Sequence, residues 1–186
     1  SSGMTIRFRG EDHTVIEVRD AVEMGPDLAL FSAGSAVSLE WAPKFEAAGS
    51  YVIDNSSAWR MHQDIPLVVP EVNAEVLQAD RRIIANPNCS TIQMVVALAP
   101  LHVKWGIRRL VISTYQSITG TGKAAVTQYE NERDGQEGGM VYPHRIFENC
   151  LPHCDIFLEN GYTREEMKLV HETRKILNSP GLPITA

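Results

Sequence analysis

The 186-residue sequence contains no hydrophobic run of membrane-spanning length. A helix across a bilayer takes ~20 apolar residues, and the best stretch, Met94 to Leu101, is far shorter and contains Pro100. The opening residues, Ser-Ser-Gly-Met-Thr-Ile-Arg-Phe-Arg-Gly, lack the apolar core of a signal peptide. Basic charge is also short: 17 Lys and Arg face 23 Asp and Glu, a net charge of −6. That balance argues against nucleic acid or an anionic membrane as the main partner. Three cysteines, an odd number, make no disulfide framework and fit a reducing cytoplasm. Zinc has little support, because Cys150-Leu151-Pro152-His153-Cys154 with nearby His144 lacks a second ligand pair. A packed loop with incidental thiols is the simpler reading, and no metal is expected. The 44% hydrophobic and 22% charged residues are ordinary for a globular chain of one domain or two small ones.

Apolar runs alternate with helical patterns, the signature of an α/β fold with a largely parallel sheet. Asp27 to Phe31 reads as a buried strand, Ala36 to Ala48 as a helix interrupted by Pro43 and closed by Gly49, and Tyr51 to Asp54 as the next strand. Asn73 is expected to cap a helix over Ala74 to Ala79. Arg82 to Ala85 reads as a strand, Ser90 to Lys104 as a helix apolar almost all round and therefore buried, and Ile107 to Tyr115 as a further strand. Helices are also expected at Lys123 to Arg133 and from Thr163 to about Leu177, the latter opened by a Thr163/Glu166 capping box. The segment from Tyr142 to Leu158 is irregular. The texture changes near Cys89, the best boundary between two domains.

Cys89 follows a strand and the turn Asn86-Pro87-Asn88, and opens a helix with Ser90 and Thr91. A thiol there faces unpaired backbone N–H groups and the positive end of the helix dipole, which favour thiolate. The dipole supplies only about 0.3–1 kcal/mol, so a cationic neighbour is also needed. Position alone leaves nucleophile and small buried hydrophobe equally open. Gly120, Gly122 and Ala125 match a dinucleotide-type G-x-G-x-x-A turn, a weak signal by itself. Gly122-Lys123 resembles the end of a P-loop, but Ser117 and Ala124 stand where Gly and Ser or Thr are required. By default, Arg60 beside Trp59 is a solvated or stacked arginine, and Glu165 with Lys168 an exposed i,i+3 ion pair.

At Asn86-Pro87-Asn88-Cys89-Ser90-Thr91-Ile92-Gln93 the chain resembles the bacterial aspartate-semialdehyde dehydrogenase family. Further blocks support this in the family's order: residues 30–34, Val52 to Met61, Val68 to Asn73, Ser113 to Gln116, Leu151-Pro152-His153 and Glu159 to Lys168. The resemblance implies a partial Rossmann-like NADP-binding domain over 1–88, followed by the first part of an α+β catalytic and dimerisation domain over 89–186. It implies that Cys89 is the thiol that becomes acylated and Gln116 the substrate-orienting amide. Arg60 and Lys168 hold phosphate or the acyl phosphate, and Glu165 contacts the substrate's amino group. Ser32, Ala33, Gly34 and Asn55 fall where the family contacts NADP, with Asn88 beside Cys89 and Thr119 and Gly120 near the nicotinamide. Ser1 falls at the edge of the segment that binds the 2′-phosphate. This displaces the G-x-G-x-x-A reading: those glycines shape a loop beside the nicotinamide.

The implied activity is reductive dephosphorylation of L-aspartyl-4-phosphate to aspartate semialdehyde through a cysteine thioester, in lysine, methionine, threonine and diaminopimelate biosynthesis. A cytoplasmic homodimer is implied. The family's opening strand with its Gly-rich turn, its Gly-His-Ser-Glu region and the preceding substrate-carboxylate Arg find no counterpart. Truncation, and inactivity of this segment alone, are therefore expected. N-acetyl-glutamyl-phosphate reductase shares the cysteine-plus-NADP logic but carries Gly before the Cys and an aromatic after it, where this chain has Asn88 and Ser90. Glyceraldehyde-3-phosphate dehydrogenase shares the mechanism but not the blocks. A non-catalytic nucleotide-binding or dimerisation module is the rival from another class.

Overall fold

The computed structural model describes residues 2–152 and 154–186, and these form two compact units. The first takes in residues 1–109 and 168–183, the second 110–167 and 184–186.

The first unit opens with a hairpin that the sequence reading did not anticipate, β1 (Thr5–Phe8) against β2 (Glu11–Thr14), then α1 (Val18–Glu23). Its turn is Arg9-Gly10, both at positive φ, and every residue of both strands is exposed. With no buried face, the hairpin leaves no apolar alternation to read.

A parallel sheet follows in the order β3 (Leu28–Phe31), β4 (Tyr51–Asp54), β5 (Ile83–Ala85), with α2 (Ser35–Ala47) crossing from β3 to β4. The register pairs Phe31 with Asp54 and Asp54 with Ala85. All three strands therefore end on one row, and the loops that follow them leave the sheet from the same edge. Leu67 bridges Ala85 in parallel on the far side of β5. The core is built from Ala42 and Phe45 of α2, Phe31, Val52, Leu67, Val69, Ile83, Ala85 and Val95. Phe31 and Phe45 meet edge to face at 5.4 Å. Pro43 does not break α2, which runs through it as one helix.

Two expectations about this unit are corrected. Asn73 stands at the N-cap position before Ala74, but its side chain makes no capping bond there. Pro70 opens α3 (Pro70–Asn73) at a position that suits proline, and the Asn73 side chain turns back, accepting from Val69 N (2.8 Å) and donating to Leu67 O (2.9 Å). Only a 3-10 turn, Ala74–Val76, follows. The helix after β5, α4 (Cys89–Trp105), ends at Gly106 as expected (φ 72°) but is not buried all round. Thr91 and Val95 are fully buried, whereas Val103 is 86% and Trp105 67% exposed. The sheet covers a single stripe of a helix, so apolar content alone does not decide how many faces are covered.

In the second unit the expected strand over Ile107 to Tyr115 shrinks to β6 (Leu110–Val111), parallel to β7 (Ile184–Thr185). A 3-10 turn over Ile118–Thr121 leads into α5 (Lys123–Arg133), which has the predicted bounds. Gln128 of α5 is buried and accepts through Oε1 from Val141 N (2.6 Å) and Tyr142 N (2.9 Å). Glu132 accepts from Ile146 N (2.7 Å) and Phe147 N (2.8 Å). Polar side chains thereby organise the loop after α5. The Thr163/Glu166 capping box forms as read: Glu166 N donates to Thr163 Oγ1 at 3.2 Å, and Glu166 Oε2 accepts from Thr163 N. It opens α6 (Arg164–Ile176). No described helix is long and apolar enough to cross a membrane.

Candidate active site

The turn after β5 sets the position of Cys89. Pro87 is fully buried, and Asn88, at φ −59° and ψ 141°, is the N-cap of α4. Its Oδ1 accepts from Ser90 N at 2.9 Å and, at a longer 3.4 Å, from Thr91 N. The first helical bond, Ile92 N to Asn88 O, is 2.9 Å. Cys89 is therefore the first residue of a 17-residue helix, and its side chain is exposed. The reading of Cys89 as a small buried hydrophobe does not hold. Thr91 and Val95, one turn apart, fix the helix on the core and leave its mouth open.

The other strand ends converge on the same edge. Ser32, Ala33 and Gly34 follow β3 and are exposed, and Gly34, at φ 93°, is the N-cap of α2. A side chain at Gly34 would be strained by that φ although nothing crowds it. Asn55 follows β4, donates its backbone N–H to Phe31 O (2.8 Å), and accepts at Oδ1 from the Asn86 amide. Asp54, fully buried, accepts from Ser56 N and Oγ (3.2 and 2.7 Å) and so turns the loop that leads to Arg60.

Arg60 is neither solvated nor stacked on Trp59. It is 8% exposed; Nη1 donates to Glu172 Oε1 (3.0 Å) and Nη2 to Asn55 O (2.9 Å). Its Nε is buried without a hydrogen-bond partner. The other oxygen of Glu172 accepts from Asn88 N at 2.7 Å. One carboxylate, 1% exposed, thus joins the guanidinium to the residue before Cys89. Removing one partner of such a buried pair typically costs about 3–5 kcal/mol, because the other charge is left uncompensated. Lys175, one turn further along α6, donates to Arg60 O (2.9 Å), His62 O (2.8 Å) and Ile65 O (2.8 Å). Burial pulls its ammonium below the usual lysine range.

Lys168 lies one turn before Glu172 on α6 and is half-buried, and Glu165 in the first turn is buried, so the pair is not an exposed one. Gln116, Thr119, Gly120 and Glu165 belong to the second unit. There Gln116 is exposed and donates to Thr114 Oγ1 (3.3 Å), while Thr119 donates through N and Oγ1 to Ser117 Oγ. Ser1, and His153 of the Leu151-Pro152-His153 block, lie outside the described residues. Glu172 and Lys175 were missed in the sequence. The available signal was the stripe Leu169, Glu172, Thr173, Ile176, whose helical spacing puts Glu172 on the inward face among apolar residues.

An open parallel sheet with its loops gathered at the strand ends is the layout of the nucleotide-binding α/β folds, and here an exposed thiol stands at an adjacent helix mouth. Two family models match: semialdehyde dehydrogenase, NAD binding domain, over residues 1–79, and semialdehyde dehydrogenase, dimerisation domain, over 98–186. The chain is 49% identical to aspartate-semialdehyde dehydrogenase of Aquifex aeolicus, with all of this chain and 57% of that protein aligned. The corresponding enzyme of Legionella pneumophila is also 49% identical, over 99% of this chain and 55% of its own length. The crystal structure of aspartate semialdehyde dehydrogenase II from Vibrio cholerae superposes with a TM-score of 0.89 at 46% identity, covering all of this chain and 57% of that one. The chain belongs to the semialdehyde dehydrogenase family and spans a little over half the length of these relatives.

Proposed function

We propose that this chain supplies the nucleophile of an NADP-dependent aspartate-semialdehyde dehydrogenase, with Cys89 displacing phosphate from L-aspartyl-4-phosphate to form a thioester. The observation that carries this reading is the exposed thiol at the capped mouth of α4, whose turn is joined through Glu172 to Arg60. Ser90 N and Thr91 N are taken by the Asn88 cap, so the positive end of the α4 dipole is what favours an anion at that mouth, and the sulfur attacks the acyl carbonyl as the bond to phosphate breaks. Arg60 and Lys168 hold the departing phosphate, whose charge needs fixed cations. Gln116 orients the acyl group and Glu165 receives the substrate's amino group. Ser32, Ala33, Gly34, Asn55, Thr119 and Gly120 are assigned to NADP, with Ser1 at the 2′-phosphate. The exposed strand ends and the uncrowded cap at Gly34 suit a dinucleotide. When bound, the reduced cofactor supplies the hydride that takes the thioester to the aldehyde.

Residues 1–88 are assigned to the nucleotide-binding domain and 89–186 to the catalytic and dimerisation domain. The matched family models support that division, and the dimerisation model supports a homodimer. We assign a cytoplasmic location, a reading that the three free cysteines support. The named relatives do not favour an N-acetyl-glutamyl-phosphate reductase.

All three cysteines are exposed, so access does not rank them and reactivity does. Iodoacetamide labelling followed by peptide mass spectrometry is expected to modify Cys89 first. The dipole alone gives a margin of about two- to fivefold over Cys150 and Cys154, and a cationic neighbour adds to it. Equal rates at the three thiols favour the non-catalytic module.

A further inference from the structure

We propose that Glu172 is a positioning residue: its carboxylate locks the anion-holding Arg60 to the turn that presents Cys89. The inference rests on the reading of Arg60 given above. Glu172 spends one oxygen on each of two segments that are 28 residues apart, Arg60 Nη1 at 3.0 Å and Asn88 N at 2.7 Å. Asn88 is consequently held at both ends, by Glu172 through its N–H and by Ser90 N–H through its side chain. Arg60 is held at both ends too, because Lys175 from the same helix accepts no proton but donates to its carbonyl and to two further carbonyls of the loop. The face of α6 carrying Glu172 and Lys175 thereby sets where the guanidinium sits relative to the mouth of α4. Both catalytic-side groups depend on a carboxylate that belongs to neither.

The sign of one measurement separates this role from a bystander's. A negative charge beside Arg60 opposes anion binding, so deleting a bystander carboxylate tightens phosphate. Deleting a positioning carboxylate loosens it, because Arg60 and the turn lose their common acceptor. Inorganic phosphate is the probe, read as protection of Cys89 from iodoacetamide at constant ionic strength, with Cys150 and Cys154 as internal references. In the parent chain phosphate slows labelling at Cys89 alone. Glu172→Gln offers one acceptor oxygen for two donors and turns an N–H toward the other. It is expected to raise the half-protective phosphate concentration at least about tenfold, the size of one lost hydrogen bond to a charged group. Rates at Cys150 and Cys154 should not move.

Glu172→Asp keeps the charge but cannot reach both partners, and shifts protection the same way by less. It decides the question if Glu172→Gln loses its cooperative thermal transition. Unchanged or tighter phosphate protection in the folded variants overturns the proposal and leaves the nucleophile reading standing. Absence of phosphate protection in the parent removes the assignment of Arg60 and this proposal with it. Equal labelling of the three thiols in the parent overturns the nucleophile reading instead.

Discussion

The two units are held together by different means. In the first, buried apolar side chains do most of the ordering: Ala42, Val52, Ala85 and Val95 have no exposed surface, and the ring of Phe45 closes on Phe31. In the second, polar side chains order the backbone by accepting from it. Gln128 and Glu132 take the N–H groups of residues 141, 142, 146 and 147, while Tyr115 stands 92% and Phe157 64% exposed. A hydrophobic core is non-directional and tolerates shape changes by relaxing. A side chain that caps two amides has one geometry, and leaving those amides unpaired costs more than making the bonds gains. The first unit should therefore fail globally when its packing is cut, and the second locally when one acceptor is lost.

The largest test of that contrast is Phe45→Ala. A buried Phe replaced by Ala loses about 3–5 kcal/mol, and Trp41 and Trp59, which pack against the core, report it through a lower urea midpoint in fluorescence. Amide protection at residues 141, 142, 146 and 147 should survive in denaturant that unfolds the first unit of the variant. If those amides lose protection in step with the tryptophans, the two units form one cooperative system and the contrast is wrong.

The same contrast explains what could be read from the sequence. Strands β4 and β5 and helix α2 announce themselves because each buries apolar residues at a fixed period, whereas β3, expected to be a buried strand, buries only Phe31 and leaves Leu28 and Leu30 53% and 75% exposed. The helix start at Cys89 was legible from the turn before it, Asn86-Pro87-Asn88, whereas its role was legible only through the family resemblance. The Thr163/Glu166 box was legible because it is purely local. The β1–β2 hairpin was silent because none of its residues is buried. Asn73 misled because its side chain caps a backbone N–H four residues earlier, not the helix after it. The C-terminal half of α4 misled because apolar residues such as Val103 and Trp105 remain exposed. Glu172 and Lys175 were the costliest omissions: the partner of Glu172, Arg60, lies 112 positions away and leaves no local signature, and a charged residue on a helix reads as solvated unless its stripe is checked.

A smaller, local effect is expected at Glu132. The Gln128 side-chain hydrogen bond, followed by the Phe147 and Ile146 backbone N–H groups, holds its carboxyl below the usual value of 4.5. A carboxyl lowered in the folded state contributes stability that is complete above its unfolded value and is lost as pH falls through the folded one. The loop should therefore be intact at neutral pH and loosen only below about pH 4.5. The Ile146 and Phe147 amide resonances, followed by NMR during acidification, are expected to move together in that window. In Glu132→Gln they should already be displaced at neutral pH and show no acid transition. A first-unit transition with the same midpoint would mean that the acid effect is not confined to this loop.

The smallest expected effect is at the cap beside the thiol. Asn88→Ala removes the acceptor for Ser90 N and Thr91 N but keeps the backbone N–H that meets Glu172. Loss of an N-cap side chain costs about 1 kcal/mol, or roughly 2–4 °C in melting temperature for a chain of this size. Because Thr91 and Val95 still fix α4 on the core, the helix should persist, with fraying confined to its first turn. The ratio of Cys89 to Cys150 labelling then reports how much the turn's order, apart from fold stability, sets the reactivity of the thiol. A melting temperature near the parent's with that ratio collapsed to one would show that Asn88 acts on the sulfur and hardly on the fold. A loss of several times the cap value would mean that the side chain packs the two-segment junction around Glu172 as well as capping the helix.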